Sequence, residues 1–129
     1  MDGNEALGSE QMVAFVPTID LDRARDFYGS VLGLPLEQTT PYACVLRAGN
    51  AKLRVTKVEE LMPQPFTVLG WEVPDVVQAV RDLVARGIAF ERYDGMDQDE
   101  NGMWTTPRGD KVAWFKDPDA NTLSVTQHR

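Results

Sequence analysis

The sequence predicts an α+β domain of two tandem βαβββ modules, which form a cup-shaped, mostly antiparallel sheet with the helices on its outer face. The length of 129 residues is typical of one domain with one core. Apolar residues recur at helical spacing in two segments and fit strands between them. The order of elements in the first half then recurs in the second half, as in an internal duplication. We expect a domain over residues 12–127, preceded by a flexible tail at 1–11.

The first module is predicted over residues 12–57. It begins with an apolar strand at 12–16 and continues into a helix at 20–32, whose apolar residues recur every three or four positions. Asp20 is a suitable N-cap, because its carboxylate can accept a hydrogen bond from the first helical turn. Gly33 is placed to end the helix. Three short strands are predicted to follow, at 36–39, 42–48 and 52–57.

The second module, residues 66–127, repeats this order. A strand at 66–73 precedes a helix at 75–86, with Asp75 as its N-cap and Gly87 at its end. Asp75 follows Asp20 by nearly the same number of residues as Gly87 follows Gly33. Strand candidates follow at 88–93, 103–106, 111–116 and 122–126.

Charge and composition exclude several classes of partner. The net charge is −7, with 13 Lys and Arg against 20 Asp and Glu, which opposes binding to a phosphate backbone. No apolar run is long enough to cross a membrane. The single cysteine, Cys44, cannot form an internal disulfide and fits a reducing compartment. We therefore expect a cytoplasmic protein that binds neither nucleic acid nor a membrane.

Three segments resemble motifs of the vicinal-oxygen-chelate superfamily, which includes glyoxalase I, extradiol dioxygenases and bleomycin-resistance proteins. Residues 20–33 resemble the first helix of that family, with Asp-Leu, Phe-Tyr and Leu-Gly in order. Residues 73–75, Val-Pro-Asp, resemble the start of its second helix. Residues 117–121 resemble its Asp-Pro-Asp-Gly-Asn turn, with Ala120 in place of Gly. The resemblance covers residues 12–127 and implies that two half-cups enclose a cavity.

The resemblance also implies four positions for metal ligands, where metal-dependent members carry His, Glu or Gln. Counting from the aspartates of the motifs gives Val13, Val68 and Ser124, and aligning residues 53–56 with residues 123–126 gives Arg54. Two valines and a guanidinium oppose a divalent ion, which prefers carboxylate, imidazole or carbonyl ligands. The one histidine, His128, is expected to be a solvated tail residue. We therefore expect no metal and no cofactor, as in the metal-free bleomycin-resistance-like members.

Alternation along the predicted strands, together with the aromatic residues, gives a set of candidate ligand-binding residues. The guanidinium of Arg54 has two interpretations: it binds a carboxylate or phosphate of the ligand, or it forms an ion pair with Glu72. Glu72 is also the candidate general base. The candidate ligand-binding residues are Phe15, Tyr42, Arg54, Val68, Glu72, Trp104, Trp114 and Ser124.

These observations favour a metal-independent small-molecule-binding protein that sequesters a drug or a metabolite. The alternative is an enzyme of the same superfamily, such as a lyase, an isomerase or a dioxygenase. A third interpretation is an interaction module whose cavity is filled by its own side chains. The strand edges of two half-cups, and the habit of the family, also predict a symmetric homodimer.

Overall fold

The computed structural model describes residues 6–129, and these divide into two compact units with a boundary between Glu60 and Leu61. Each unit contains one βαβββ module, which confirms the predicted α+β class. Residues 1–5 of the predicted tail lie outside the described residues, whereas residues 6–11 are exposed and lack strand or helix structure.

Module one has a four-stranded mixed sheet with the strand order β1-β4-β3-β2. Its first and last strands pair in parallel, and its other pairs are antiparallel. Its elements are β1 (Val13–Thr18), α1 (Leu21–Arg25), β2 (Leu36–Thr39), β3 (Ala43–Ala48) and β4 (Ala51–Lys57).

The predicted helix at 20–32 is present, but only its first part is α-helical. Asp20 Oδ1 accepts a hydrogen bond from Arg23 N at 3.1 Å, as expected of an N-cap. Residues 26–31 then form a wider π-helical turn, and Gly33 follows with a φ of +78°. Within this turn, Phe27 and Tyr28 are both buried, as is Ala24 one turn before them.

Module two repeats the arrangement, with the strand order β5-β8-β7-β6 and a parallel pair between its first and last strands. Asp75 Oδ1 accepts a hydrogen bond from Gln78 N at 3.1 Å, and Gly87 follows the helix with a φ of +96°. Both helix signals predicted from the sequence are therefore confirmed. The elements are β5 (Thr67–Glu72), α2 (Val76–Ala85), β6 (Trp104–Thr105), β7 (Lys111–Lys116) and β8 (Thr122–Gln127).

The predicted strand at 88–93 is wrong. This segment makes one isolated antiparallel bridge, between Phe90 and Phe115, whose rings contact edge to face at 5.4 Å. The chain leaves the sheet soon afterwards, because the N–H of Tyr93 donates to the side chain of Gln98 at 2.7 Å and not to a strand. The apolar alternation of the segment reflects the packing of loop side chains against α2 and β7.

The core of each module lies between its sheet and its helix. We call the other face of each sheet, which the module's own helix leaves uncovered, the open face. Among residues 6–129, no helix is long and apolar enough to cross a membrane. The buried residues on the helix side are Val16, Ala24, Tyr28, Cys44, Leu46, Leu53 and Val55 in module one, and Val76, Val80, Ala113, Phe115, Leu123 and Val125 in module two.

Candidate functional site

The open face of module one carries a cation beside an exposed aromatic ring. Phe15 on β1 pairs in register with Arg54 on β4, and its side chain is 65% exposed. Among residues 6–60, no carboxylate pairs with the half-buried Arg54. Arg47 differs, because its Nε and Nη2 bind Glu37 Oε2 at 3.1 and 2.7 Å. Within module one, the charge of Arg47 is thus neutralised by Glu37, whereas Arg54 has no such partner.

Tyr42 does not join this group. It lies in the bend before β3 and is 73% exposed. Tyr42 lies two residues before Cys44, so continued alternation gives it the face of Cys44, which is buried on the helix side of the sheet. Successive residues of a strand point to opposite faces. Tyr42 is thus out of phase with Arg54, and its predicted role in binding draws no support from its position.

The open face of module two carries an aromatic cluster, which consists of Tyr93, Trp104 and Trp114. The rings of Trp104 and Trp114 are stacked, with centroids 6.3 Å apart and planes inclined by 29°. The ring of Tyr93 meets Trp114 edge-on, with centroids 5.6 Å apart. The structure therefore brings together the two predicted tryptophans and adds a tyrosine that sequence analysis did not select. The third tryptophan, Trp71, pairs with Val125 on the helix side.

Gln98 holds the tyrosine of the cluster in place. Its Oε1 accepts from the N–H of Tyr93, and its Nε2 donates to the carbonyls of Glu91 and Gly102 at 3.0 and 2.8 Å. Burial raises the pKa of the Tyr93 hydroxyl, and the carboxylate of Glu91 raises it further. The hydroxyl therefore stays protonated at neutral pH, and the cluster presents uncharged rings.

A β-bulge changes the predicted position of Val68. Thr67 pairs with Thr122 and Leu69 pairs with Leu123, so Val68 is the extra residue of β5. Regular alternation would place Val68 beside Thr122 on the open face. Because of the bulge, Thr67 lies there instead. The indole Nε1 of Trp114 donates a hydrogen bond to Thr67 Oγ1 at 3.1 Å. Sequence analysis missed Thr67, because a bulge leaves no clear signal in residue types.

Ser124 lies beside Gly70 under this cluster. Gly70 and Trp114 both pair with Ser124 in register, and Ser124 is 7% exposed. A Cβ atom at position 70 would come within 2.8 Å of Ser124 Oγ. A side chain at position 70 would therefore force the Ser124 hydroxyl to move.

Glu72, the candidate general base, lies at the end of β5 near the histidine that was expected to be solvated. Glu72 Oε1 is 3.6 Å from His128 Nε2, and His128 Nδ1 is 3.6 Å from Asp110 Oδ1. The pKa of Asp110 is lowered, mainly by a hydrogen bond from the backbone N–H of Arg129 and also by the nearby His128. The Glu72 side chain is 70% exposed.

The four positions that the resemblance assigns to metal ligands do not fit a divalent ion. Val13 and Val68 offer alkyl groups, Arg54 offers a positive charge, and Ser124 offers one hydroxyl. Among residues 6–129, no group of three or more His, Cys, Asp or Glu side chains is arranged to hold a metal.

Two βαβββ modules, each with its first and last strands paired in parallel and one sheet face that its helix leaves uncovered, define a class of α+β proteins. Residues 11–125 match the model of the family described as the Glyoxalase/Bleomycin resistance protein/Dioxygenase superfamily. The chain belongs to this superfamily. Among curated proteins, no sequence matches the chain.

Solved structures of this superfamily share the fold at low identity. Lactoylglutathione lyase from Agrobacterium tumefaciens has a TM-score of 0.71 and 19% identity, over 92% of this chain and 93% of that chain. A glyoxalase/bleomycin resistance protein/dioxygenase from Alicyclobacillus acidocaldarius has a TM-score of 0.69 and 21% identity, over 93% and 92%. At such identities the similarity shows the fold and not an activity.

The close approach of Gly70 and Ser124 predicts that a methyl group added at position 70 destabilises the fold. We expect Gly70→Ala to lower the free energy of unfolding by about 1–3 kcal/mol, because the new Cβ overpacks the serine hydroxyl. Gly70→Ala combined with Ser124→Ala should recover most of that loss. Gly29→Ala is a matched control, since its Cβ would meet nothing nearer than 3.7 Å. Urea denaturation measures all three, and an unchanged stability of Gly70→Ala would contradict the packing argument.

Proposed function

We propose that this chain is a metal-independent small-molecule-binding protein that sequesters a drug or metabolite with a planar ring. The aromatic cluster on the open face of module two carries the proposal. Two stacked indoles and a perpendicular phenol offer a large, uncharged surface on which a flat ligand can stack. Small-molecule sites typically combine such apolar walls with a few polar groups, and Ser124 and Glu72 lie on the same sheet.

The donor set supports metal independence, and elemental analysis tests it directly. We expect the purified protein to retain no stoichiometric divalent ion, because alkyl groups and a guanidinium cannot replace imidazole and carboxylate ligands. Elemental analysis after desalting measures this. One zinc, nickel, manganese or iron atom per chain would contradict the proposal.

A fluorescence screen tests ligand binding, because the three tryptophans lie on different faces. In Trp71→Phe, the remaining emission comes from Trp104 and Trp114 on the open face. We expect planar aromatic compounds to quench this emission saturably. In Trp114→Phe, the same compounds should bind roughly tenfold or more weakly, as loss of a stacking contact implies. A library that quenches neither variant, or both equally, would count against the aromatic cluster as the binding surface.

On the open face of module one, we propose Arg54, beside the exposed ring of Phe15, as the anchor for an acidic aromatic compound, because a partly desolvated guanidinium binds a carboxylate strongly and with defined geometry. We expect Arg54→Met to weaken binding of 1-naphthoate at least about tenfold, with no change for the neutral 1-naphthamide. Thermal stability should remain close to wild type, since apolar replacement of a buried charge is often tolerated.

Arg47→Met is the matched control for this test. Arg47 lies on β3, the strand next to β4 and Arg54 in module one, but its guanidinium is already bound to Glu37. Its replacement should leave 1-naphthoate binding unchanged. If the two variants lose affinity equally, the effect is one of net charge, and the proposed role of Arg54 is wrong.

The alternative is an enzyme of the same superfamily, such as a lyase, isomerase or dioxygenase. One observation favours it: Glu72 is adjacent to His128, which in turn is adjacent to Asp110. A carboxylate beside an imidazole is a suitable pair for moving a proton. Turnover of any bound ligand that is abolished by Glu72→Gln would favour the enzyme.

We also propose a cytoplasmic homodimer. The side chains of Val13 and Phe15 on the edge strand β1 are exposed, and apolar edge strands are commonly covered by a second chain. Cys44 is a free, buried thiol whose pKa is raised by burial, which fits a small core residue. A free thiol also fits a reducing compartment. Light scattering at micromolar concentration tests the dimer, and a monomer would contradict it.

A further inference from the structure

The hydrogen bond between Thr67 and Trp114 spans three strands of module two. Thr67 lies on β5 and Trp114 on β7, and β8 runs between them. Adjacent strands are about 4.8 Å apart, so the two backbones are separated by about 10 Å. The indole Nε1 nevertheless reaches Thr67 Oγ1 at 3.1 Å. The indole of Trp114 must therefore extend across β8 on the open face.

The burial of β8 is consistent with this course. Thr122 and Ser124 point toward the open face, since they alternate with the core residues Leu123 and Val125. Yet Thr122 is 5% exposed and Ser124 is 7% exposed. An indole lying over β8 accounts for this burial. Beside them, Gly70 has no side chain that would lift the ring from the sheet.

The open face of module two therefore presents the plane of the Trp114 indole above β8. Alternation along β8 alone would place the hydroxyl groups of Thr122 and Ser124 at this surface. Two contacts besides the hydrogen bond act on this ring, namely the stack with Trp104 and the edge contact with Tyr93. Neither contact defines the direction of the Nε1–H bond. The hydroxyl of Thr67 does, because it accepts the one hydrogen bond that an indole can donate.

We propose that Thr67 is a positioning residue, whose hydroxyl fixes the indole of Trp114 across β8 as the platform on which a planar aromatic ring stacks. This inference rests on the proposed function, because the platform matters only if the aromatic cluster binds a ligand. It names the ligand group that the platform selects, a flat ring. It also identifies a binding determinant that lies outside the aromatic cluster itself.

The experiment compares Thr67→Val with Thr67→Ser, using the neutral planar dye N-phenyl-1-naphthylamine as the probe. Valine keeps the shape of threonine without the acceptor, whereas serine keeps the hydroxyl. We expect Thr67→Val to bind the dye roughly tenfold more weakly and Thr67→Ser to bind it about as well as the wild type. Thr67 is exposed, so both variants should fold, and circular dichroism checks this.

The indole N–H resonance of Trp114 supplies an independent readout. In ¹H–¹⁵N spectra, its disappearance in Trp114→Phe assigns the signal. Thr67→Val should shift that signal and speed its exchange with water, and Thr67→Ser should restore both. An unchanged signal in Thr67→Val would overturn the positioning role, as would dye affinity equal to that of the wild type.

The two proposals fail in distinguishable ways. If the wild type does not bind the dye, the proposed function and the platform role for a planar ring are both contradicted. The indole resonance then still reports whether Thr67 holds the ring. If the wild type binds the dye and Trp114→Phe does not, but Thr67→Val binds normally, the proposed function stands and the inference about Thr67 is wrong.

Discussion

The parallel pairing of the first and last strands in each module constrains most of what this chain can do. Two parallel neighbours cannot be joined by a tight turn, so the chain must cross over between β1 and β4, and again between β5 and β8. The crossover contains the helix, which packs on one face of the sheet. The other face is left without a helix, and polar and aromatic side chains that would be unfavourable in the core can lie there.

The two open faces have diverged chemically within this common frame. Module one keeps a guanidinium beside an exposed phenyl ring, with a second arginine neutralised by Glu37. Module two carries two indoles and a phenol above buried hydroxyl groups. At the four positions that the resemblance assigns to metal ligands, the chain carries Val13, Arg54, Val68 and Ser124, none of which offers an imidazole or a carboxylate. The two open faces therefore expose different chemical groups on the same frame.

Small local features give module two its surface. The bulge at Val68 turns Thr67 toward the open face, and glycine at position 70 leaves room for the Ser124 hydroxyl. The side chain of Gln98 stabilises the loop that carries Tyr93 through three hydrogen bonds, of which it accepts one and donates two. Each of these features depends on the position of one residue in the local backbone structure. The hydrophobicity of that residue matters less.

The sequence by itself determined the two-module α+β fold and the starts and ends of both helices. Asp20, Gly33, Asp75 and Gly87 act through the backbone of their own turn, so their meaning is local and readable from residue type. Alternation also identified Phe15, Arg54, Trp114 and Ser124 as residues of the uncovered faces. Tertiary structure decided the rest. Pairing between strands set the bulge at Thr67–Val68, ended the segment at 88–93 after one bridge, and brought Glu72, His128 and Asp110 together. These outcomes depend on contacts between residues that are distant in sequence. A local pattern of residue types gives no information about such contacts.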